Sequence, residues 1–81
     1  MSPKLIRLSG AEVIAIFKTF GFEIHSQRGS HIKLRRVINN QKQTITIPYH
    51  PELDAGTLRA IFHQSARYIP ESELRPHFYS D

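Results

Sequence analysis

Cysteine is absent from this 81-residue chain, which excludes disulfide bridges, thiolate nucleophiles and zinc sites built on cysteine. No apolar run approaches the roughly 20 residues that a membrane-spanning helix needs. The N-terminus also has no apolar segment of the kind found in signal peptides. We therefore expect one small cytoplasmic domain over residues 1–81, with no membrane partner.

Acidic residues are scarce as well. The chain has seven Asp and Glu against eleven Lys and Arg, a formal net charge of +4 and a pI of about 9.9. A basic chain favours an acidic partner, which is a nucleic acid, an anionic membrane surface or an acidic protein.

Two segments carry the pattern of an amphipathic helix. Ser9 and Glu12 have the spacing of a capping box. Apolar residues then recur at helical spacing up to Gly21, which suits the left-handed conformation that ends a helix. Asp54 is the expected N-cap of the second helix. The predicted buried stripe of that helix comprises Leu58, Ile61 and Phe62.

Between the helices, three segments alternate between apolar and polar residues, which is typical of strands. These segments are residues 22–27, 30–38 and 43–48. Turn signals separate them at Gly29 and at Asn39–Asn40, because glycine and asparagine tolerate positive φ. Alternation places Phe22 and Ile24 together on one face of the first strand. Connections this short predict an antiparallel meander.

The predicted fold class is α+β, with the order α-β-β-β-α and both helices on one face of a three-stranded antiparallel sheet. This is the layout of double-stranded-RNA-binding domains, although a fold alone does not define function. A short extended arm is expected over Met1–Arg7, and a further helical turn after Pro70. The predicted free face of the sheet carries His31, Lys33, Arg35, Thr44 and Thr46.

The densest group of cations lies in residues 28–36, where four of nine residues are Lys or Arg. We predict that all four contact phosphates, the alternative being a solvated strand face. They are Arg28, Lys33, Arg35 and Arg36. Gly29 permits a tight turn that brings backbone close to a phosphate. The Ser30 hydroxyl either donates to a phosphate oxygen or caps the turn.

His31 is the main candidate for chemistry. RNA carries its own nucleophile, the 2′-hydroxyl, so a cleaving protein has to move protons, align the phosphate and stabilise charge. An imidazole suits proton transfer near neutral pH. The alternative is a surface histidine in a hairpin that contacts phosphates. His50 is the candidate second proton carrier, against the alternative that its ring bonds backbone and fixes the turn after the third strand.

The remaining histidines are predicted to be surface residues. They are His25, His63 and His77. The five histidines show no H-x-x-x-H pattern and no cluster with carboxylates, so the sequence predicts no metal site and no cofactor.

Five short elements, in order and correctly spaced between about Leu5 and Ala66, resemble the HicA toxins, the small mRNA-cleaving partners of HicB antitoxins. The elements are Leu8-Ser9-Gly10, Gly21-Phe22, Gly29-Ser30-His31, Thr46-Ile47-Pro48-Tyr49-His50 and Gly56-Thr57-Leu58-Arg59-Ala60-Ile61. The tail from Arg67 to Asp81 lies outside the shared pattern.

The resemblance implies the double-stranded-RNA-binding-like fold, metal-independent cleavage of mRNA and neutralisation by a HicB-type antitoxin. It also implies that His31 is catalytic. We expect oligomers only through the antitoxin. Two other functions stay open, a non-catalytic RNA-binding module and a domain that interacts only with proteins. A nuclease would lose cleavage but keep RNA binding in His31→Ala, whereas a pure binder would keep most activity.

Overall fold

The computed structural model describes residues 3–80, and Met1, Ser2 and Asp81 lie outside the described residues. The elements in chain order are β1 (Lys4–Leu5), α1 (Gly10–Thr19), β2 (Glu23–Arg28), β3 (His31–Ile38), β4 (Gln41–Pro48), α2 (Ala55–Ser65), α3 (Glu71–Phe78) and β5 (Tyr79–Ser80). The central sheet has the order β2-β3-β4, and β1 pairs with β5 in a second sheet. The predicted α-β-β-β-α order is confirmed, and a third helix and a terminal strand pair extend it.

Helix α1 begins and ends as its sequence predicts. The Ser9 amide donates to Glu12 Oε1 at 2.8 Å, and the Glu12 amide donates to Ser9 Oγ at 3.0 Å, so the capping box is formed. At the other end Gly21 has a φ of +91°. The Phe22 amide reaches the Phe17 carbonyl at 3.1 Å, which completes a Schellman motif and directs the chain into β2.

The meander owes its tight turns to residues with positive φ. Asn39 and Asn40 have φ values of 52° and 63°, so the β3–β4 hairpin closes through a two-residue turn whose twist matches its strands. Pairing then continues without a break from Ile38 opposite Gln41 to His31 opposite Pro48. This register determines which side chains of the two strands share a face.

The core lies between the central sheet and the helices. Four inward side chains of β3 and β4 are at most 4% exposed, namely Ile32, Leu34, Ile45 and Ile47. They form one cluster with buried residues of α1 and α2. Both of these helices therefore cover the same face of the sheet, as predicted, and the opposite face is free.

The two apolar residues predicted to share one face of the first strand differ in burial. Phe22 is 1% exposed and Ile24 is 51% exposed, although Ile24 lies on the helix side of the sheet beside α1. Ile24 belongs to the edge strand β2. The small side chains of Ala11 and Ala15 on α1 leave an open groove of about 420 Å³ beside it.

The C-terminal segment is part of the core. Ile69, Leu74 and Phe78 are each no more than 2% exposed, and Leu5 of β1 pairs with Tyr79 of β5. The turn predicted after Pro70 is therefore a helix of 8 residues that leads into a strand. The extended arm predicted over Met1–Arg7 is confirmed at Lys4–Leu5, whereas Met1 and Ser2 lie outside the described residues.

Candidate nucleic-acid interface

The free face of the central sheet is built from the odd-numbered residues of β3. His31, Lys33 and Arg35 alternate with buried neighbours along this strand. On the β4 side they pair with Pro48, Thr46 and Thr44, and on the β2 side with Arg28, Ser26 and Glu23. Directly paired side chains of antiparallel strands lie about 5 Å apart at Cβ. His31 therefore lies between Arg28 of β2 on one side and Pro48 of β4 on the other.

The β2–β3 turn holds His31 at the start of its strand. Gly29 has a φ of +58°, a conformation that costs glycine little. The Gln27 side-chain amide donates to the Gly29 carbonyl at 3.0 Å. The Tyr49 amide donates to the Ser30 carbonyl at 2.6 Å. The two residues before His31 are therefore both held in place, Gly29 by a side chain of its own hairpin and Ser30 by the residue that follows β4.

A β-bulge in β2 decides what faces His31. Ile24 pairs with Leu34, but the next pair is Ser26 with Lys33, so His25 is an extra residue without a partner of its own. A shift of one residue exchanges the two faces of a strand. The bulge therefore turns Ser26 and Arg28 to the free face, where unbroken alternation from Glu23 would have placed His25 and Gln27.

The result is a cleft of about 460 Å³ around His31. Its lining consists of Ser26, Gln27, Arg28, His31, Lys33 and Thr46. The predicted residues His31, Lys33 and Arg28 are brought together here. Ser26 and Gln27 were not predicted from the sequence, because no local pattern marks the bulge that positions Ser26.

The cations of the free face form no ion pair with any residue that the structure describes. Among residues 3–80 the ion pair that forms joins Arg75 and Glu71 on α3. Glu23 is the Cα partner of Arg35 but does not come within ion-pair distance of it. Arg28 and Lys33 are exposed, so their charges are available to an external anion.

Arg35 is held at the far end of this face by a histidine. Its Nη2 lies 2.7 Å from His25 Nε2, so the imidazole accepts a hydrogen bond when that nitrogen is unprotonated. Both residues line a second cleft of about 340 Å³. His25 is exposed, as predicted, but it has a structural partner that the sequence did not indicate.

Arg36 occupies the opposite side of the sheet from the other three cations. Its Nε donates to Gln43 Oε1 at 2.6 Å, and its two terminal nitrogens donate to the Phe20 and Tyr68 carbonyls at 2.7 and 2.8 Å. The guanidinium carbon lies 4.8 Å from the centroid of the Phe22 ring, and burial lowers the pKa of Arg36. The predicted phosphate contact does not fit this position, because Arg36 joins α1, the α2–α3 connection and the sheet.

His50 follows β4 in a loop that touches the N-terminus of α1. Its carbonyl accepts from the Gly10 amide at 2.9 Å, and its amide donates to the Pro48 carbonyl at 3.0 Å. A side chain at Gly10 would overlap the Pro48 carbonyl, so this contact requires glycine. The backbone of His50, and not its ring, fixes the turn. His50 does not line the cleft around His31.

The other two histidines lie on the helices. His63 and His77 are exposed, which agrees with the prediction, and their rings meet Phe62 and Phe20 edge-on. Within residues 3–80, no three His, Asp or Glu side chains are grouped closely enough to hold a metal ion. None of the described helices is long and apolar enough to cross a membrane.

The fold and the free face define a class of protein: a domain with the layout of double-stranded-RNA-binding domains and an open sheet face that carries one histidine among cations. Residues 10–66 match the family model of the HicA toxins of bacterial toxin–antitoxin systems. The chain therefore belongs to the HicA toxin family, as the sequence resemblance predicts, and its role is that of a toxin with an antitoxin partner. Comparisons with curated proteins and with solved structures found no match.

Proposed function

We propose that this toxin is an endoribonuclease that cleaves mRNA on the free face of its sheet, with His31 as general acid and base. The observation that carries the proposal is the cleft in which His31 lies beside Arg28 and Lys33. Membership of a toxin family supports a nuclease in general. The position of His31 beside two cations supports the specific assignment of cleavage to this face.

The proposed reaction is transesterification within the RNA. His31 accepts the proton of a 2′-hydroxyl as its oxygen attacks the neighbouring phosphorus, so the 2′-O–P bond forms and the P–O5′ bond breaks. The products are a 2′,3′-cyclic phosphate and a 5′-hydroxyl, whose oxygen takes up a proton from a second carrier, for which His50 is the candidate. A positioned proton carrier of this kind typically contributes about 10²- to 10⁴-fold in rate.

The neighbours of His31 have distinct tasks. Arg28 and Lys33 neutralise the phosphate and the charge that develops on it. The left-handed turn at Gly29 brings backbone close to the RNA, and the Ser30 hydroxyl is available to a phosphate oxygen. Arg35 extends the cationic surface along β3. Arg36 takes no part in the proposed site, because its nitrogens are bonded within the protein.

Full proton transfer needs an acid as well as a base, and we propose His50 as the second proton carrier. The adjacent Tyr49 amide donates to the Ser30 carbonyl at 2.6 Å, which joins the His50 loop to the hairpin that carries His31. His50→Ala should then slow cleavage while RNA binding is retained. If cleavage by this variant matches that of the original protein, His31 acts with water alone.

We further propose that the partner is a HicB-type antitoxin and that the toxin acts in the cytoplasm. Expression of the toxin without its antitoxin should stop growth and degrade mRNA. His31→Ala should abolish both effects at equal soluble expression. Equal toxicity of the variant would contradict the role of the histidine.

Purified toxin tests the chemistry directly. We expect cleavage of RNA in EDTA, with ends that are a 2′,3′-cyclic phosphate or a 3′-phosphate. A 3′-hydroxyl end, or strict dependence on an added divalent metal, would contradict the proposed mechanism. Binding of RNA without cleavage by either the original protein or the variant would support the alternative, a non-catalytic RNA-binding module.

A further inference from the structure

We propose that Ser26 is an RNA-binding residue of the His31 cleft, where its hydroxyl donates a hydrogen bond to a phosphate oxygen. This inference rests on the proposed function, since it assigns a further contact to the same substrate. The observation behind it is the bulge at His25, which places Ser26 opposite Lys33 on the free face.

The bulge changes which residues of β2 face solvent, and packing of the core alone does not require this change. Without it, the side chain of Ser26 would face α1 and that of Gln27 would face the solvent side of the sheet. Bulges are frequent beside active sites, because they redirect side chains there. Here the redirected residues Ser26 and Arg28 both line the cleft that contains His31.

The chemistry of Ser26 fits the place it occupies. Ser26 is exposed, and its hydroxyl forms no hydrogen bond with another described residue. The side chain is short, so an anion drawn to Arg28 and Lys33 can approach the strand between them. A hydroxyl donates one hydrogen bond without adding charge. This hydrogen bond would orient the phosphate, whereas the two cations attract it.

Gln27 and Thr46 also line the cleft, but they are weaker candidates. The Gln27 amide already donates to the Gly29 carbonyl at 3.0 Å, so its task is to close the turn. Thr46 lies on β4, across Lys33 from Ser26, so strand β3 separates it from Arg28. Ser26 is the polar neutral residue that lies on the same strand as Arg28 and directly opposite Lys33.

The test measures the binding of a short 2′-O-methyl RNA, in which the attacking hydroxyl is blocked and cleavage cannot interfere. Ser26→Ala should weaken binding by about tenfold, the value of one hydrogen bond to a charged group. Ser26→Thr keeps the hydroxyl on a residue that strands favour, and should restore most of the affinity. Ser72→Ala, on α3, is the matched control and should bind like the original protein.

Salt dependence separates this role from that of the cations. Because serine is neutral, Ser26→Ala should leave the slope of log K against log salt unchanged, whereas Lys33→Ala should reduce it by about 0.7 for a single strand. In cleavage assays Ser26→Ala should raise KM and leave kcat nearly unchanged, as expected when binding alone is lost.

Two results would overturn the inference, and they are distinguishable. If Ser26→Ala binds as well as Ser72→Ala while Lys33→Ala is weakened, the RNA surface is correct and Ser26 is not part of it. If Lys33→Ala and Ser26→Ala both bind normally, RNA does not use this face, and the proposed function fails together with the inference.

Discussion

The two faces of the central sheet are made from alternate residues of the same strands, yet they have opposite tasks. Toward the helices, Ile32 and Leu34 of β3 are 4% and 0% exposed. Toward solvent, the intervening Lys33 carries a charge that no described residue pairs. The buried side chains that stabilise the fold lie on the first face. Side chains on the second face can therefore be polar or charged groups that bind a ligand.

Adjacent arginines show the same division most clearly. Arg35 faces outward and contacts His25 at 2.7 Å, whereas Arg36 faces inward and bonds three separate parts of the chain. The two residues have the same chemistry and are neighbours in sequence. Only their surroundings differ: Arg35 is a candidate phosphate-binding residue, whereas Arg36 stabilises the fold by joining three parts of the chain.

The largest expected difference in stability between the faces is at Leu34 and Lys33. Leu34→Ala should reduce the free energy of unfolding by about 2–5 kcal/mol, because it leaves a cavity in the core. Lys33→Ala should change it by no more than about 0.5 kcal/mol, as is usual for exposed positions. Urea unfolding of both variants measures the difference. Similar losses would show that the free face also stabilises the fold.

The two arginines should differ by a smaller amount. Arg36→Ala deprives the Phe20 and Tyr68 carbonyls of their donor, and should cost about 1–3 kcal/mol in unfolding free energy. Arg35→Ala should cost less than Arg36→Ala, because Arg35 is half-buried and contacts one exposed side chain, His25. The RNA affinities should show the reverse order. An Arg36 variant that is fully stable but binds RNA poorly would contradict this assignment of roles.

These contrasts show what the sequence can predict. Alternation along residues 30–38 predicts the faces of β3, with Arg36 on the inward side with Ile32 and Leu34, and the capping box predicts the start of α1, because both signals are local. The phosphate contact predicted for Arg36 is inconsistent with this alternation. The acceptors of Arg36 include the carbonyls of Phe20 and Tyr68, which are 16 and 32 residues away, and no pattern within the strand indicates them.

The bulge and the pairing of the two terminal strands escaped prediction for related reasons. His25 is an ordinary strand residue in a regular alternation, and the extra position appears only when β2 is aligned with β3. Strands β1 and β5 have two residues each and come from opposite ends of the chain. Segments that short carry no periodicity, so their pairing cannot be read from either one alone.

Salt dependence sharpens the comparison for binding. Lys33→Ala and Arg35→Ala should each reduce the slope of log K against log salt by about 0.7 for single-stranded RNA or 0.9 for a duplex. Arg59→Ala, an exposed arginine on α2, is the control on the helical layer and should leave the slope unchanged. Unchanged slopes in both strand variants would place the RNA on another surface.

Antitoxin binding is the least decisive test of the free face, because an antitoxin can neutralise the toxin without covering this face. An acidic antitoxin should cover His31, Lys33 and Arg35, since complementary charge speeds association and steers its geometry. We expect reduced hydrogen exchange across residues 29–36 in the complex, and competition between the antitoxin and a short RNA. Undiminished RNA binding by the complex would rule out occlusion of this face.

Single-turnover RNA cleavage by His31→Ala and by the original protein decides whether the histidine is catalytic. We expect a loss of at least about 10²-fold in the cleavage rate, with RNA affinity and unfolding free energy nearly unchanged, because His31 is exposed and contributes nothing to the core. Cleavage by a folded His31→Ala protein at the original rate would contradict the catalytic role of His31.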